Sequence, residues 1–173
     1  RKYDLFRSLF PQTDDILTSN DDPHYQRLIE YALMNTDQRL REGKSVTPAF
    51  LYAALHWPQV HQRWQELEAE GHGRSNALMI AASETLDFNQ QFVSIPKRFS
   101  ITIREIWELQ VKLERRHGKR PDSTIEHPRF RAGYDFLLLR ERSREIPEEL
   151  GPWLTAYQSA DASMRRELIS QVN

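Results

Sequence analysis

Residues Ser94 to Glu145 read SIPKRFSITIREIWELQVKLERRHGKRPDSTIEHPRFRAGYDFLLLRERSRE, and this segment carries most of the positive charge of the chain. In its first part apolar residues recur every three or four positions, the spacing of one helix face: Phe99, Ile103, Ile106, Leu109 and Leu113. In its second part the apolar stripe is Phe130, Tyr134, Leu137 and Leu138, with the neighbouring arginines Arg129, Arg131, Arg140, Arg142 and Arg144 pointing elsewhere. The segment therefore predicts two amphipathic helices joined by a basic loop.

Proline and glycine set the expected ends of these two helices. Pro96 suits the first turn of a helix, where its missing N–H costs nothing. Gly118 is predicted to end that helix in a left-handed cap, and Pro121 prevents it from continuing. Pro128 is predicted to open the second helix.

Charge is distributed unevenly along the chain. Between Lys97 and Arg144 there are 13 Lys and Arg against 7 Asp and Glu, whereas the remaining residues carry 11 against 18. A basic segment in an otherwise acidic chain indicates contact with a polyanion.

The rest of the chain reads as further helices separated by Pro, Gly and polar caps, with no alternating strand pattern. Pro58 is expected to interrupt an apolar helix, Ser75 is expected to cap a later one, and a final helix is expected to start at Asp161. The predicted helical stretches are 3–10, 22–42, 47–57, 59–70, 75–91 and 161–172, besides the central pair and an anchoring region after Pro147. The sequence predicts one all-α domain of about eight helices, with 1–145 as its body and 146–173 as a C-terminal extension.

Composition excludes several classes of protein. There is no cysteine, and 39% apolar with 28% charged residues is typical of a globular chain. No apolar run is long enough for a transmembrane helix, and the start lacks a signal-peptide core. We expect a monomeric protein of the cytoplasm.

Metal-dependent or nucleophilic chemistry has little support in the sequence. No two histidines have the i, i+4 spacing of a helical zinc site, and no G-x-S-x-G or P-loop pattern occurs. The acidic pairs Asp14–Asp15 and Asp21–Asp22 are interpreted as caps and solvated turns. No catalytic or metal-binding residue is predicted.

Several stretches carry a resemblance to a known family. They are SIPKRFSITIREIWELQ (94–110), RRHGKR (115–120), EHPRFRAGYDFLLLR (126–140), NTDQRLREGKSVTPAFLYAALHW (35–57) and YDLFRSLFP (3–11). Together they resemble the C-terminal half of bacterial poly(A) polymerases, class II nucleotidyltransferases related to the tRNA CCA-adding enzymes. The resemblance implies an enzyme that adds AMP from ATP to RNA 3′ ends with Mg²⁺. It also implies a catalytic head N-terminal to Arg1. Without that head, this chain would have no enzymatic activity and would need no cofactor.

The basic residues of the central segment are the candidate RNA-binding set, because phosphate contacts give sequence-independent affinity. They are Lys97, Arg98, Arg104, Lys112, Arg115, Arg116, Lys119, Arg120, Arg129 and Arg131. The competing interpretation is a solvated face, with Arg104, Glu108 and Lys112 forming ion pairs one helical turn apart. Arg98 and Arg104 are alternatively expected to pair with Asp37 or Glu84.

Other polar and aromatic features have structural interpretations. The cluster Asn35–Thr36–Asp37 with Arg39 predicts a buried hydrogen-bond network, and Trp57, Trp64 and Trp153 are expected to pack between helices rather than stack on bases. The expected partners are RNA 3′ ends and RNA-decay proteins. Two alternatives remain: a helical module that docks acidic proteins, and the body of a CCA-adding enzyme.

Overall fold

The computed structural model describes residues 2–19 and 22–172 as helices joined by short turns, so Asp21 lies outside the described residues. The helices, numbered in chain order, are α1 (Lys2–Leu9), α2 (Pro11–Ser19), α3 (His24–Arg41), α4 (Pro48–Ala69), α5 (Arg74–Asn89), α6 (Lys97–Lys112), α7 (Arg120–Ile125), α8 (Phe130–Arg142), α9 (Leu150–Ser159) and α10 (Ala162–Val172). No strand occurs in these ranges. The all-α prediction is confirmed, with ten helices in the described ranges rather than about eight.

Helix α4 forms the centre of the main core, and α2, α3, α5 and α6 pack around it. Its Trp57 and Trp64 are buried, and the indole N–H of Trp64 donates to the carbonyl of Arg74 at 3.0 Å. The predicted interruption at Pro58 is wrong, because α4 continues through this residue. A proline inside a helix loses one backbone hydrogen bond, and here the residues on both sides of Pro58 are fixed in the core.

Helices α6 and α8 lie side by side and run in the same direction, since Glu105 lies beside Arg129 and Leu109 lies beside Gly133. The approach at Gly133 is close: a Cβ built there would be 2.8 Å from Cδ1 of Leu109. Their C-terminal ends therefore lie toward the same end of the molecule.

A second, smaller hydrophobic cluster joins the end of α6 to α8 and α9. It contains Leu109, Leu113, Phe130, Tyr134, Leu137 and Leu154. Glu141 fixes the start of α9, because its carboxylate accepts the backbone N–H of Gly151 at 2.8 Å and that of Glu149 at 3.3 Å. These are amide groups that a helix start leaves without intrahelical partners.

Two predicted helix ends are corrected. Helix α6 ends at Lys112, six residues before Gly118, and Gly118 takes its positive φ of 59° in the turn that precedes α7. Helix α5 begins after Gly73, so Ser75 lies inside its first turn; its hydroxyl instead accepts a hydrogen bond from Arg115. The last helix starts next to Asp161, as predicted, and the carboxylate of Asp161 caps it by accepting the N–H of Met164 at 2.8 Å.

The buried hydrogen-bond network predicted around Asn35 is also wrong. Asn35, Asp37 and Arg39 are exposed; Asp37 pairs with Arg41 at 2.8 Å, and Arg39 donates to the carbonyl of Ser45. The cluster lies on the last turns of α3, where these side chains are open to water.

The buried polar network lies instead around Arg140 and Glu145. Their side chains are 2% and 1% exposed, and the two groups are 2.7 Å apart. Trp57 donates its indole N–H to Glu145, and Gln110 accepts from Arg140 at 3.1 Å. The pKa of Glu145 is lowered: burial, the largest single influence, would raise it, but the charges of Arg140 and His61 and the hydrogen bonds from Arg140 and Trp57 together outweigh burial. The network fixes the C-terminal end of α8 to α4 and α6.

Candidate nucleic-acid interface

The ten predicted basic residues do not form one patch. Lys97 and Lys112 are at opposite ends of α6, a helix of 16 residues, and at 1.5 Å per residue these ends are about 22 Å apart. Lys97 and Arg98 are exposed at the N-terminal end, whereas Lys112, Arg115, Lys119 and Arg120 are exposed at the C-terminal end. The carboxylates of Glu105 and Glu108 lie between the two groups along the helix.

Four of the predicted residues have structural partners that reduce their availability. Arg104 donates to the hydroxyl of Ser83 at 2.7 Å and is half-buried. Arg116 pairs with Glu149 at 3.2 Å. Further along, Arg129 lies 3.8 Å from Glu105 and Arg131 lies 3.3 Å from Asp135.

The alternative ion pairs expected along α6 are not formed in the described part of the chain. Arg104 does not pair with Glu108, because its guanidinium points to Ser83 on α5. Glu84 pairs with Arg63 at 2.7 Å and Asp37 pairs with Arg41, so neither is available to Arg98 or Arg104. Arg98 lies over the ring of its neighbour Phe99 at 4.8 Å.

The remaining cations concentrate at the C-terminal end of α6 and the start of α7. We call Lys112, Arg115, Lys119 and Arg120 the basic end. Within residues 2–19 and 22–172, the side chains of Lys112, Lys119 and Arg120 make no ion pair or hydrogen bond, and Arg115 donates only to the neutral hydroxyl of Ser75. Cations near a helix C-terminus are favoured by the helix dipole, but a dipole leaves their charge available to a ligand.

Within residues 2–19 and 22–172, the tryptophans predicted to pack between helices do not provide base-stacking platforms beside the basic end. Trp57 and Trp64 are buried, as predicted for helix packing, and Trp107 is buried as well. Trp153 is half-buried and donates to the carbonyl of Leu168 at 3.1 Å. The candidate site is therefore electrostatic in character.

A second cationic feature lies at the C-terminal end of α8, and its residues are not among those predicted to bind RNA. Arg142 and Arg144 are exposed at the C-terminal end of α8, and the guanidinium of Arg142 lies 4.0 Å from the ring centroid of Tyr31. The periodicity of α8 places these arginines off the apolar stripe but does not show which helix they meet. Arg140, also placed off the stripe, is buried instead.

The described ranges contain neither a metal-binding cluster nor a membrane-spanning helix. Residues 2–19 and 22–172 contain no group of three His, Asp or Glu side chains arranged to hold a metal ion. The residues described here thus do not fit the Mg²⁺ that the family resemblance implies. No helix in this part of the chain combines the length and apolar character needed to cross a membrane.

Comparison with known proteins identifies the family to which the C-terminal part of the chain is similar. A sequence profile for the family described as polymerase A arginine-rich C-terminus matches residues 70–173, which include α5 to α10. The chain belongs to this family. In the matched region arginine supplies 13 of the 16 basic residues, and its planar guanidinium suits phosphate better than the point charge of lysine.

Individual relatives extend the similarity over the whole chain. Poly(A) polymerase I of Haemophilus influenzae is 38% identical over 176 residues, which cover 99% of the chain. The proteins of the same name from Escherichia coli O157:H7 and Salmonella typhi are 36% and 35% identical, covering 99% and 100% of the chain. The chain spans 38% of the length of each of these relatives. The resemblance seen in the sequence is thereby confirmed.

Proposed function

We propose that this chain is the RNA-binding helical part of a poly(A) polymerase that adds AMP from ATP to RNA 3′ ends. Its role is to hold the RNA while the chemistry, with ATP and Mg²⁺, takes place in a part of the polymerase outside the described residues. The observation that carries the proposal is the basic end, where three exposed cations have no partner in the described chain and a fourth has only a neutral one.

The chemistry of the basic end suits an enzyme that accepts many RNA sequences. Phosphate contacts fix the backbone without reading bases, and the exposed side chains of Lys112, Lys119 and Arg120 can follow an irregular single strand. The proposal also places the protein in the bacterial cytoplasm as a monomer, with RNA as its main partner and RNA-decay proteins as further ones.

The test is the salt dependence of binding to single-stranded RNA. The triple variant Lys112→Gln, Lys119→Gln, Arg120→Gln should weaken binding equally for oligoadenylate and mixed sequences. The slope of log K against log salt should fall by ~0.7 for each lost phosphate contact. Fluorescence anisotropy of a 5′-labelled oligonucleotide across a salt series gives both quantities.

A charge-matched control separates a local site from overall charge. Arg41→Gln, Lys44→Gln and Arg166→Gln remove the same charge from exposed positions outside the basic end. This control should retain nearly the full salt slope. If both triple variants lost RNA affinity and salt slope equally, the basic end would not be the binding site. If the unmodified protein bound no RNA, the proposed function would be wrong.

A further inference from the structure

A groove of about 710 Å³ lies at the C-terminal end of α8, and none of the residues that line it belongs to the predicted RNA-binding set. Its volume is within the range of sites that hold small ligands, ~300–1,000 Å³. Arg142 and Arg144 line it and are both exposed, and neither forms an ion pair in the described part of the chain. Glu149, which follows the residues of the groove, pairs with Arg116, so the groove borders the segment that leads to the basic end.

The guanidinium of Arg142 is held in a defined orientation. It lies 4.0 Å from the ring centroid of Tyr31 on α3, a cation–π contact. Helix α3 is itself fixed to this end of α8, since Arg27 donates to the carbonyl of Ser143 at 2.8 Å. Because Arg142 remains exposed, a planar ligand can stack on its guanidinium, as unpaired RNA bases do on arginine planes.

Arg144 has an unusual backbone for its residue type. Its φ is 67°, the left-handed conformation that glycine normally supplies after a helix. The N–H groups of Arg144 and Glu145 donate to the carbonyls of Glu141 and Arg140, which fixes this conformation. Unfavourable backbone conformations occur preferentially at functional sites, and here the conformation presents an exposed arginine at the groove.

The acidic residues that line the groove do not neutralise these arginines. The carboxylate of Glu145 is buried against Arg140, and that of Glu141 accepts backbone N–H groups at the start of α9. Glu148 is the acidic side chain that remains exposed in the groove. Two exposed cations therefore face one exposed anion.

We propose that this groove binds one unpaired nucleotide of the RNA strand, with the base stacked on Arg142 and the adjoining phosphate paired with Arg144. This inference rests on the proposed function, and it adds a stacking contact to a surface that is otherwise electrostatic. The basic end would hold the neighbouring phosphates, so one strand would run from Lys112 past Arg116 to Arg142.

The experiment uses oligoadenylate that carries 2-aminopurine, whose fluorescence is quenched by stacking. Arg142→Lys keeps the charge but removes the planar guanidinium, so the quenching should be lost and binding should weaken about fivefold to tenfold. Arg144→Gly should weaken binding about threefold to tenfold and leave the quenching largely intact. Arg144→Lys should restore most of that loss, and Glu148→Gln should strengthen binding.

Two controls make the result specific. Arg166→Gln removes one exposed charge on α10 and should change neither signal. An oligonucleotide with an abasic site in place of 2-aminopurine should bind Arg142→Lys and the unmodified protein equally. Thermal melting of each variant checks that the fold is retained.

The outcomes distinguish this inference from the proposed function. If the unmodified protein binds RNA with a steep salt slope while Arg142→Lys and Arg144→Gly bind and quench as it does, the groove proposal is wrong and the proposed function stands. If the triphosphate of 2-aminopurine riboside is quenched in the groove but the oligonucleotide is not, the groove holds a free nucleotide and the proposal is wrong. If the unmodified protein binds no RNA, both are wrong.

Discussion

Arg144 combines a left-handed backbone with an exposed charge. The backbone conformation lowers the stability of the protein, whereas the charge favours RNA binding in the proposed groove. A left-handed residue with a Cβ costs roughly 1 kcal/mol relative to glycine, so Arg144→Gly should stabilise the protein by about that amount. For a chain of this size the melting temperature should rise by about 2–4 °C. Calorimetry of the variant measures the change.

The matched control for this prediction is Arg144→Ala. Alanine removes the same charge but keeps the Cβ, so its melting temperature should not exceed that of the unmodified protein. A rise in both variants would mean that charge repulsion among the arginines, and not backbone conformation, sets the stability at this position. A more stable Arg144→Gly that binds RNA less well would show that the arginine is retained for binding.

His61 gives the stability of the protein a predictable pH dependence. Burial lowers the pKa of His61 to about 4, although the nearby carboxylate of Glu145 opposes the shift. In the unfolded chain the pKa is about 6.5. As the pH falls below that value the unfolded state takes up the proton first, so the free energy of unfolding decreases until the pH reaches the folded pKa.

The variant His61→Gln should flatten this dependence. Glutamine can still accept the hydrogen bond that joins Tyr25 to His61 at 2.6 Å. Between about pH 7 and about pH 5 the unmodified protein should lose about 2 kcal/mol more than the variant. Urea unfolding at several pH values measures both curves. Burial also lowers the pKa of His56, so the free energy of unfolding should still depend on pH in the variant, but less steeply. If the free energy of unfolding fell equally with pH in both proteins, the prediction for His61 would be wrong.

Arg140 shows why part of the core could not be predicted at the level of single residues. The stripe of Phe130, Tyr134 and Leu137 correctly identifies the face of α8 that meets α9. However, α3, α4, α6 and α9 all contact α8, so Phe136, Leu139 and Arg140 are buried as well. Helical periodicity gives one buried face, whereas the number of packed neighbours depends on residues distant in sequence.

At the level of helices, local rules predicted most elements but not all of their ends. Capping and apolar spacing located α3, α5, α6, α8 and α10. The break at Pro58 was wrong because core packing holds both halves of α4 in line. The acidic pair Asp14–Asp15 lies within α2, where Arg7 pairs with Asp14 at 3.0 Å, rather than in a solvated turn.

Helix α10 is attached by polar contacts more than by burial, since none of its residues is buried. Asp122 on α7 accepts hydrogen bonds from Tyr157 at 2.7 Å and from Arg165 at 3.1 Å. Asp122→Asn should weaken this attachment by about 1 kcal/mol. Amide exchange in α10 should then become roughly fivefold faster, with little change in the global melting temperature.

Hydrogen exchange resolved along the chain tests this prediction. Asp87→Asn is the control, because Asp87 is exposed on α5 and has no side-chain partner among the described residues. Faster exchange spread over α4 to α8 would show that Asp122 stabilises the whole fold and not α10 alone.

At the level of the molecule, the count of charged residues predicted a basic surface. It did not predict that the basic residues are separated into groups at the two ends of α6. The sequence places thirteen cations between Lys97 and Arg144. The length of α6 separates Lys97 from Lys112, and partners such as Glu149 and Asp135 neutralise others. Which cations remain available depends on the pairing of residues such as Arg116 and Glu149, which are far apart in sequence.

The two hydrophobic clusters should behave as one cooperative unit, which would make 146–173 an extension of the same domain as 1–145. Trp107 and Leu109 on α6 belong to different clusters, as do Phe136 and Leu137 on α8. The same two helices therefore carry both clusters, and the Arg140–Glu145 network joins them to α4. We expect a single unfolding transition.

A matched pair of leucines tests this cooperativity. Leu78 in the main cluster and Leu154 in the smaller one are 1% and 2% exposed. Replacing either with alanine should cost about 2–5 kcal/mol, which lowers the melting temperature by roughly 5 °C or more. In one cooperative unit both variants shift the whole transition, and far-ultraviolet circular dichroism and tryptophan fluorescence report the same midpoint. If Leu154→Ala instead produced an early transition that left the main cluster folded, α9 and α10 would form a separately unfolding unit.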